Sequence, residues 1–266
     1  MPPSFTALSP SQHKLHGWLP REAYHFAKDE KIAPILLAEL SHALPHYLLG
    51  FVQQGEQFQL VALLTLGGKN LYLNVDGKWL GDYVPAAFRG FPFAFAVGNT
   101  ADERILCIND AHLSTGPEAQ PLFNTDGTPS QALVEMQEFL LQTDNNRTAT
   151  QAAVNALSEA GLLMEWELII PQTKEPTEDQ TRQPVNIEGM YRIDEAKLAQ
   201  IDAETFSRLM QTGAMPMAYA QLFSMQQANQ LTMRAEYAAN HEGLDEVDDM
   251  DELFGEKEET IRFDFN

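Results

Sequence analysis

The histidines of this sequence occur in two closely spaced pairs that could bind a metal ion. His13 and His16 are three residues apart, and His42 and His46 are four apart. Such spacings supply two ligands only where a helix places both side chains on one face. The first pair falls in an N-terminal arm that we expect to be loose, and Pro45 interrupts the helix that the second pair needs. The sequence therefore predicts no metal site.

Asp110-Ala111-His112 is a second candidate for metal or acid–base chemistry. A non-haem iron site needs two histidines and a carboxylate, and no third ligand is placed near this pair. Asp110 is better interpreted as the turn residue that ends the strand containing Cys107. Cys107 lies in the apolar run 105–108, which favours a buried side chain over a nucleophile. We predict no catalytic residue from these positions.

A third candidate is a group of aromatic residues around one arginine, namely Trp79, Tyr83, Arg89, Phe91 and Phe93. A guanidinium among apolar neighbours needs a carboxylate, a carbonyl or a ring face. One interpretation is a packed core in which Arg89 is a buried clamp. The other is a ligand- or partner-binding pocket, since rings around a fixed cation suit a peptide carboxylate or an acidic aromatic ligand. The sequence leaves both interpretations open.

The common cofactor and nucleophile motifs are absent. The sequence contains neither a G-x-G-x-x-G loop nor a G-x-S-x-G elbow. The nearest approach to a phosphate loop, Gly67-Gly68-Lys69-Asn70, lacks the spacing and the following Ser or Thr of a Walker motif. We therefore predict no cofactor.

Charge limits the partners that this chain can bind. Its 266 residues carry 17 Lys and Arg against 38 Asp and Glu, a formal net charge of −21. An acidic protein repels phosphate backbones and anionic membrane surfaces, so we expect no nucleic-acid partner. No apolar run has the length of a membrane helix, and residues 1–20 lack the pattern of a Sec signal. The sequence therefore predicts a cytoplasmic protein without membrane insertion.

The acidic C-terminal part of the sequence predicts a flexible tail that ends in a docking segment. Residues 242–259 contain ten acidic residues and one lysine. Ile261, Phe263 and Phe265 then alternate with charged residues, so an extended chain would place all three on one side. Such a segment can add to a sheet edge of this chain or of a protein or peptide partner. Both alternatives remain open.

Residues 70–95 set the predicted organisation of the rest of the chain. Leu71, Leu73 and Val75 alternate as in a half-buried strand, and Asp76-Gly77 supplies a tight hairpin turn. Flanking segments at 46–52, 57–66, 93–97 and 104–108 extend this into one antiparallel meander. Val84 to Gly90 is predicted as a short helix entered through Pro85.

The second half of the sequence is predicted to be mainly helical. Capping patterns at 128–131 and 148–151 predict two successive helices, and Gly161 predicts the end of the second. Short strands at 162–170 and 185–193 precede helices capped by Asp194 and Asp202, and a longer helix follows at 216–240. The overall prediction is α+β: an N-terminal antiparallel sheet region packed with a helical C-terminal half. We divide the chain into a loose arm at 1–20, one domain at 21–240 and the tail at 241–266.

The spacing N-L-Y-L-x-x-D-G-x-W-x-x-x-Y-V-P-A-x-x-R-x-x-P-F, which begins at Asn70, resembles the signature of the bacterial SapC-like family. Later segments agree, in order: Cys107-Ile108-Asn109-Asp110, Pro121-Leu122-Phe123-Asn124, the run 189–198, and Tyr219-Ala220-Gln221-Leu222-Phe223-Ser224-Met225. The resemblance covers about residues 20 to 232. Asn109 and Phe223 depart from the family pattern.

The resemblance implies a role without specifying an activity. The family is named after a gene linked to a crystalline surface layer, and related genes are often found near those for TonB-dependent receptors, flavin-dependent halogenases or cupin-type hydroxylases. A non-catalytic binding or accessory protein that serves peptide or protein modification, or TonB-linked uptake, is the leading hypothesis. A surface-layer component at the cell surface, exported without a Sec signal, is one alternative. An enzyme that uses Asp110, His112 or Arg89 is another.

Overall fold

The computed structural model describes residues 4–98, 100, 103–170 and 185–241. Within these ranges the fold is α+β, as predicted. The strands are β1 Phe5–Ala7, β2 Gly17–Trp18, β3 Ile32–Pro34, β4 Leu49–Gln54, β5 Gln57–Leu63, β6 Phe93–Val97, β7 Arg104–Asn109, β8 Leu113–Ser114, β9 Gln120–Pro121, β10 Leu163–Glu165, β11 Leu168–Ile170, β12 Val185–Ile187 and β13 Met190–Ile193. The helices are α1 Pro10–His13, α2 Leu40–Ala43, α3 Ala86–Arg89, α4 Gln131–Glu159, α5 Glu195–Leu198, α6 Ala203–Gln211, α7 Ala214–Ser224 and α8 Ala228–His241, with 3₁₀ turns at His25–Ala27, Leu37–Glu39, Asp110–His112 and Met225–Gln227.

The strands form four antiparallel sheets rather than the single predicted meander. The largest sheet has the order β10-β13-β4-β5-β3, and a second has the order β1-β7-β6. The two smaller sheets are β8-β2-β9 and β11-β12. The hairpins β4-β5 and β6-β7 are local and follow the sequence pattern. They belong to different sheets, however, because each pairs with strands from distant parts of the chain.

The main core lies between the five-stranded sheet and the helices of the C-terminal half. The largest side chains that are fully buried in it include Tyr47, Phe51, Leu60 and Leu157. Helix α4 packs on β5 and on α7, and α7 packs on β4 and β13. The two halves of the chain therefore share one main core, in agreement with the prediction.

Buried polar side chains of α7 complete the sheet where β4 and β13 separate. Gln221 is fully buried, and its Oε1 accepts a hydrogen bond from the Ile193 N–H at 2.9 Å. The Ser224 hydroxyl accepts from the Leu49 N–H at 3.0 Å. The pairing of β13 with β4 ends at Tyr191 and Phe51, so α7 satisfies two backbone donors that lie beyond the paired residues of these strands.

The N-terminal segment is part of the folded body, and the predicted loose arm is wrong for the residues that are described. β1 pairs with β7, with Phe5 opposite Asn109, and β2 lies between β8 and β9. Trp18 packs edge-to-face on Phe93 at 5.1 Å in a second, smaller core. This core also contains Ile108, and Cys107 beside it is buried, as predicted. Long-range pairing, rather than local pattern, thus orders this segment.

Helix α4 is one continuous helix of 29 residues, although the sequence predicted two. A helix begins near the first predicted start, but its N-cap is Ser130, whose side chain accepts from the Leu133 N–H, and not Thr128 of the predicted capping box. The second predicted cap is wrong. The Thr148 hydroxyl donates back to Asp144 O at 3.5 Å inside the helix, an alternative to capping that Thr side chains commonly adopt. The helix ends before Gly161, whose φ of +64° confirms the predicted C-terminal cap.

The remaining helix signals of the C-terminal half are largely confirmed. Asp194 caps α5 through the Lys197 N–H, and Asp202 caps α6 through the Thr205 N–H. Gly213, with a φ of +76°, separates α6 from α7. The predicted single helix at 216–240 is instead α7 and α8, joined by the 3₁₀ turn Met225–Gln227. Within the ranges described above, no helix has the length and apolar character needed to cross a membrane.

The chain turns here, but the central residues of the turn are Val75 and Asp76 rather than the predicted Asp76 and Gly77, and the strand predicted before it does not form. Only Leu73 and Trp79 form an antiparallel bridge, and Val75 is 75% exposed instead of facing the core. Tyr72 is the buried residue of this segment. The turn is closed by the Gly77 N–H, which donates to Asn74 O at 3.0 Å. The residue that is fully buried is thus Tyr72, and not one of the alternating residues Leu71, Leu73 and Val75 that were predicted to face the core.

Gly77 is required at its position for two physical reasons. Its φ of +74° is in the left-handed region, which disfavours residues with a Cβ. A Cβ at this position would also lie 2.6 Å from Nδ1 of the His25 ring. The carbonyl oxygen of Gly77 accepts a hydrogen bond from the Tyr24 N–H at 2.7 Å. The turn is thus fixed against the segment that contains Tyr24 and His25.

We predict that Gly77→Ala lowers the free energy of unfolding by about 2–3 kcal/mol, from backbone strain together with the clash against His25. Gly55→Ala is the matched control, since Gly55 has a φ of +63° and open space around it. It should cost only about 1 kcal/mol. Urea unfolding of both variants measures the difference between these two costs. Combining Gly77→Ala with His25→Ala should remove the clash and bring the cost at Gly77 close to that at Gly55. Equal costs for the two glycines would contradict the steric part of the argument.

Candidate functional site

A buried carboxylate organises the candidate site. Glu39 is 4% exposed and ends the 3₁₀ turn that leads into α2. Its Oε2 accepts from the Leu36 N–H at 2.9 Å, and its Oε1 accepts from Tyr83 Oη at 2.7 Å and from the Ala86 N–H at 2.6 Å. A buried charge is stable only when it is hydrogen-bonded in this way. Glu39 thus fixes Tyr83 and the first residue of α3 against α2.

Arg89, the last residue of α3, extends this network towards the surface. Its Nη2 donates to Tyr83 Oη at 3.1 Å and lies 3.9 Å from Glu39 Oε1. Its Cζ lies 5.4 Å from the centroid of the Tyr83 ring and 5.1 Å from that of Phe139. The side chain remains 40% exposed. It is therefore a half-buried, oriented cation and not the buried clamp of one sequence interpretation.

The Arg89 guanidinium retains capacity to bind an acceptor. Among the described residues, Tyr83 Oη is its hydrogen-bond partner, and Nε is buried without one. Guanidinium groups bind carboxylates through two parallel hydrogen bonds where the geometry allows. The arrangement can thus hold an anionic group at the exposed side of Arg89, between the two rings that cover it.

Tyr83 stays protonated between Glu39 and Arg89. Burial and the hydrogen bond to Glu39 raise the pKa of the Tyr83 hydroxyl well above its usual value, and the charge of Arg89 only partly opposes this. The neutral hydroxyl can then donate to Glu39 while it accepts from Arg89. The His42 ring stacks on the Tyr83 ring, with the two centroids 5.3 Å apart.

Trp79 has a structural role that differs from the predicted ligand contact. Its Nε1–H donates to Tyr47 Oη at 2.9 Å, and the Tyr47 hydroxyl donates to Tyr83 O. Tyr72 lies beside Tyr47, and its hydroxyl donates to His46 O at 2.8 Å. The polar atoms of these rings are thus bonded to one another or to the backbone. They support the site from inside the core.

Arg234 of α8 packs against the same aromatic group from the other side. Its Nη1 donates to Leu80 O at 2.6 Å, and its Cζ lies 4.4 Å from the centroid of the Tyr72 ring. Burial raises the pKa of Tyr72 to about 12, although Arg234 opposes the rise. Burial also lowers the pKa of His46 below its ordinary value, and Arg234 adds to that effect while Asp82 opposes it. Helix α8 is thereby tied to the 72–83 segment.

Phe91 lies two residues beyond Arg89 and stacks on Phe26. The two ring centroids are 4.0 Å apart, and Phe26 is 39% exposed. The backbone around them is held by Arg21, whose Nη1 donates to Arg89 O at 3.0 Å and to Phe91 O at 2.8 Å. Phe91 also packs edge-to-face on His112 at 4.9 Å, whereas the Arg89 side chain contacts Tyr83 and Phe139.

The predicted site residues therefore divide into three groups. Tyr83 and Arg89 meet at Glu39, whereas Phe91 packs on Phe26 and His112. Trp79 packs in the main core, and Phe93 is 3% exposed in the second core. The remaining three, Ile261, Phe263 and Phe265, lie outside the described residues.

Sequence analysis missed Glu39 and Arg21. Glu39 is a lone acidic residue in the apolar run Ile35-Leu36-Leu37-Ala38-Glu39-Leu40, which was a usable signal for a buried carboxylate. Arg21 gave no such signal, because its partners are carbonyl oxygens about 70 residues away.

The histidine-containing candidates show no metal geometry. In the part of the chain that the structure describes, no group of three or more His, Cys, Asp or Glu residues is placed to hold a metal ion. Asp110 begins the 3₁₀ turn after β7, which confirms its predicted role as a turn residue. Hydrogen bonds from Ser4 and Thr6 lower the pKa of its carboxyl group. His112 Nδ1 lies 2.8 Å from Leu19 O.

Comparison with known proteins gives one match. A family model described as SapC matches residues 8–231. No curated protein and no solved structure matches the chain.

We predict that Glu39→Gln lowers the free energy of unfolding by about 2–4 kcal/mol, because an amide NH₂ would then face buried donors. Glu56→Gln, at an exposed turn position, is the matched control and should change stability by less than about 0.5 kcal/mol. Arg89→Gln should cost only about 1 kcal/mol, since the ion pair is partly exposed. Chemical denaturation tests all three, and equal values for Glu39→Gln and the control would contradict the role of Glu39.

We also predict that the protein loses stability as the pH rises from about 10 towards 12. Burial keeps Tyr72 protonated up to a pKa of about 12, whereas an unfolded tyrosine titrates near 10.0. The folded state therefore binds more protons in this interval, so raising the pH favours unfolding. Tyr72→Phe should make the decline shallower by up to about 1.4 kcal/mol per pH unit. Denaturation at a series of pH values measures the slope, and identical slopes for the variant and the wild type would refute this assignment.

Proposed function

The chain belongs to the SapC family, and from that premise we propose that it is a non-catalytic binding or accessory protein whose ligand is a protein or peptide segment. The observation that carries the proposal is the Arg89 guanidinium, which is oriented by Tyr83 and flanked by two rings while its side chain stays 40% exposed. A cation held in this way favours recognition of a carboxylate.

The fixed position of Arg89 favours binding because its side chain is already ordered before a ligand binds. Tyr83 Oη and the ring of Phe139 hold the guanidinium, and Glu39 holds Tyr83. A long, flexible arginine would otherwise lose rotamer freedom when a ligand bound. The partial neutralisation by Glu39 at 3.9 Å leaves room for a second carboxylate at the exposed side.

The neighbouring rings indicate the second property of the ligand. The rings of Tyr83 and Phe139 are both partly buried, and their centroids lie 5.4 Å and 5.1 Å from Arg89 Cζ. A short peptide whose carboxylate binds the guanidinium can contact these rings as well. We therefore propose a ligand in which an aspartate or glutamate is adjacent to an aromatic residue.

The family resemblance suggests where such a ligand would come from. Proteins of peptide or protein modification, or of TonB-linked uptake, are the partners that the gene neighbourhood of related sequences favours. The proposed role is to recognise an exposed acidic–aromatic segment of such a partner and to bring the partner into a complex. The negative charge of the rest of the chain would limit binding elsewhere on its surface.

A peptide titration tests this proposal. A synthetic hexapeptide with one aspartate between two phenylalanines should bind saturably in calorimetry, and peptides with asparagine or two alanines instead should bind more weakly. Arg89→Gln should weaken binding about tenfold, which corresponds to the loss of one charge-assisted contact. Arg208→Gln, at an exposed position on α6, is the control and should bind as the wild type does. Equal affinities of all three peptides, or no effect of Arg89→Gln, would overturn the proposal.

A further inference from the structure

The outer side of α7 is an apolar stripe on a single helix face. Pro216, Tyr219 and Phe223 are exposed, and spacings of three and four residues place them on the same side of the helix. The ring centroids of Tyr219 and Phe223 lie 6.2 Å apart, and the two rings are 47% and 60% exposed as residues. The opposite side of α7 packs on α4, β4 and β13, so the stripe faces away from the main core.

This α7 stripe lies within the longest uncharged run of the sequence. Residues 209–233 contain no Asp, Glu, Lys, Arg or His, although charged residues make up 21% of the chain. A second exposed apolar pair, Phe206 and Met210, lies on α6, but that short helix also carries Glu204 and Arg208. The α7 stripe is thus distinguished from its neighbour by its neutrality.

We propose that the α7 stripe is the contact surface of a homodimer, in which a second copy of this chain packs antiparallel on α7. Each copy carries a formal net charge of −21, so two copies repel one another wherever their acidic surfaces approach. Association through a neutral surface keeps the acidic residues of the two chains apart. The charge distribution therefore favours α7 for self-association, which goes beyond the proposed function because it concerns another surface and another partner.

The order of residues along the stripe suits a two-fold axis. Tyr219 and Phe223 are about one helical turn apart, and an antiparallel copy presents them in reverse order. A two-fold axis then places Tyr219 against Phe223 of the partner subunit, in two equivalent contacts. Aromatic pairs in such contacts stabilise an interface beyond the apolar area that they bury. A partner of different sequence would find no charge on this stripe by which it could be selected.

The small area of the stripe predicts a weak dimer. Helix α7 has 11 residues and is therefore about 16 Å long. A stable interface buries about 800 Å² on each partner, whereas two aromatic side chains that are about half exposed supply roughly 200 Å². We therefore expect reversible association with a Kd of about 10–100 μM.

Sedimentation equilibrium of the full chain tests this proposal. Between about 5 and 500 μM protein, the average mass should rise from that of one chain towards that of two. Phe223→Glu should raise the Kd at least about tenfold, because it places like charges in the contact. Leu15→Glu is the matched control, since Leu15 is 85% exposed outside α7, and it should change the Kd by less than about twofold. A monomer at every concentration, or equal effects of the two substitutions, would overturn the proposal.

The salt dependence of the Kd separates the α7 stripe from a contact held by ion pairs. Salt screens the repulsion between the two acidic chains, so the Kd should fall about threefold between about 0.05 and 0.5 M NaCl. A contact through Glu204 and Arg208 of α6 would weaken as salt is added. A Kd that rises with salt would therefore overturn the assignment to α7.

Hydroxyl-radical footprinting shows directly what covers the stripe. Oxidation of Tyr219 and Phe223 should decrease as the protein concentration passes through the Kd, whereas oxidation of Phe26, which is 39% exposed, should stay constant. Protection of the α7 rings that is independent of concentration would show that another part of the same chain covers them. Oxidation that does not change while dimers form would show that the copies meet elsewhere, and either result would overturn the proposal.

Discussion

The burial of the Glu39 carboxylate is the constraint on which the surrounding structure depends. A charge that is 4% exposed must find donors inside the protein, and here they come from Leu36, Tyr83 and Ala86. Satisfying one side chain thus joins the turn that contains Leu36 and Glu39 to the segment from Tyr83 to Ala86. The direction of α3 follows from this, and with it the place where Arg89 emerges at the surface.

The residues behind this carboxylate are arranged so that few polar atoms remain available to solvent. Tyr47 accepts from Trp79 and donates to the Tyr83 carbonyl, and Tyr72 donates to a backbone carbonyl. The aromatic residues that seemed to form a binding pocket therefore hold one another in place. The guanidinium of Arg89, next to these rings, stays half-exposed.

Features set by neighbouring residues were predictable from the sequence, and features set by distant residues were not. The caps at Asp194 and Asp202 depend on backbone donors three residues away, so their side chains were sufficient to locate them. Thr148 has similar capping chemistry but lies inside a helix, where its hydroxyl donates to Asp144 O instead. Local pattern could not distinguish the two cases, because the surrounding packing decides whether the helix continues.

The candidate site shows the same limit. The positions of Tyr83 and Arg89 in one motif were sufficient to place them together, since six residues separate them. Glu39 is 44 residues from Tyr83, and only the folded chain brings them into contact. The pairing of β1 with β7 and of β13 with β4 is equally non-local, which explains why one meander was predicted and separate sheets are found.

The contact between Leu49 and Ser224 also has a consequence for how this protein is made. The two residues are 175 positions apart, and α7 completes the end of β4 through this contact and through Gln221, whose Nε2 donates to Leu49 O. At a synthesis rate of about 5–20 residues per second, the second residue follows the first by on the order of ten to thirty seconds. The apolar β4-β5 hairpin is on the nascent chain throughout that interval without its final cover. Protection from aggregation during translation is therefore a requirement of this fold.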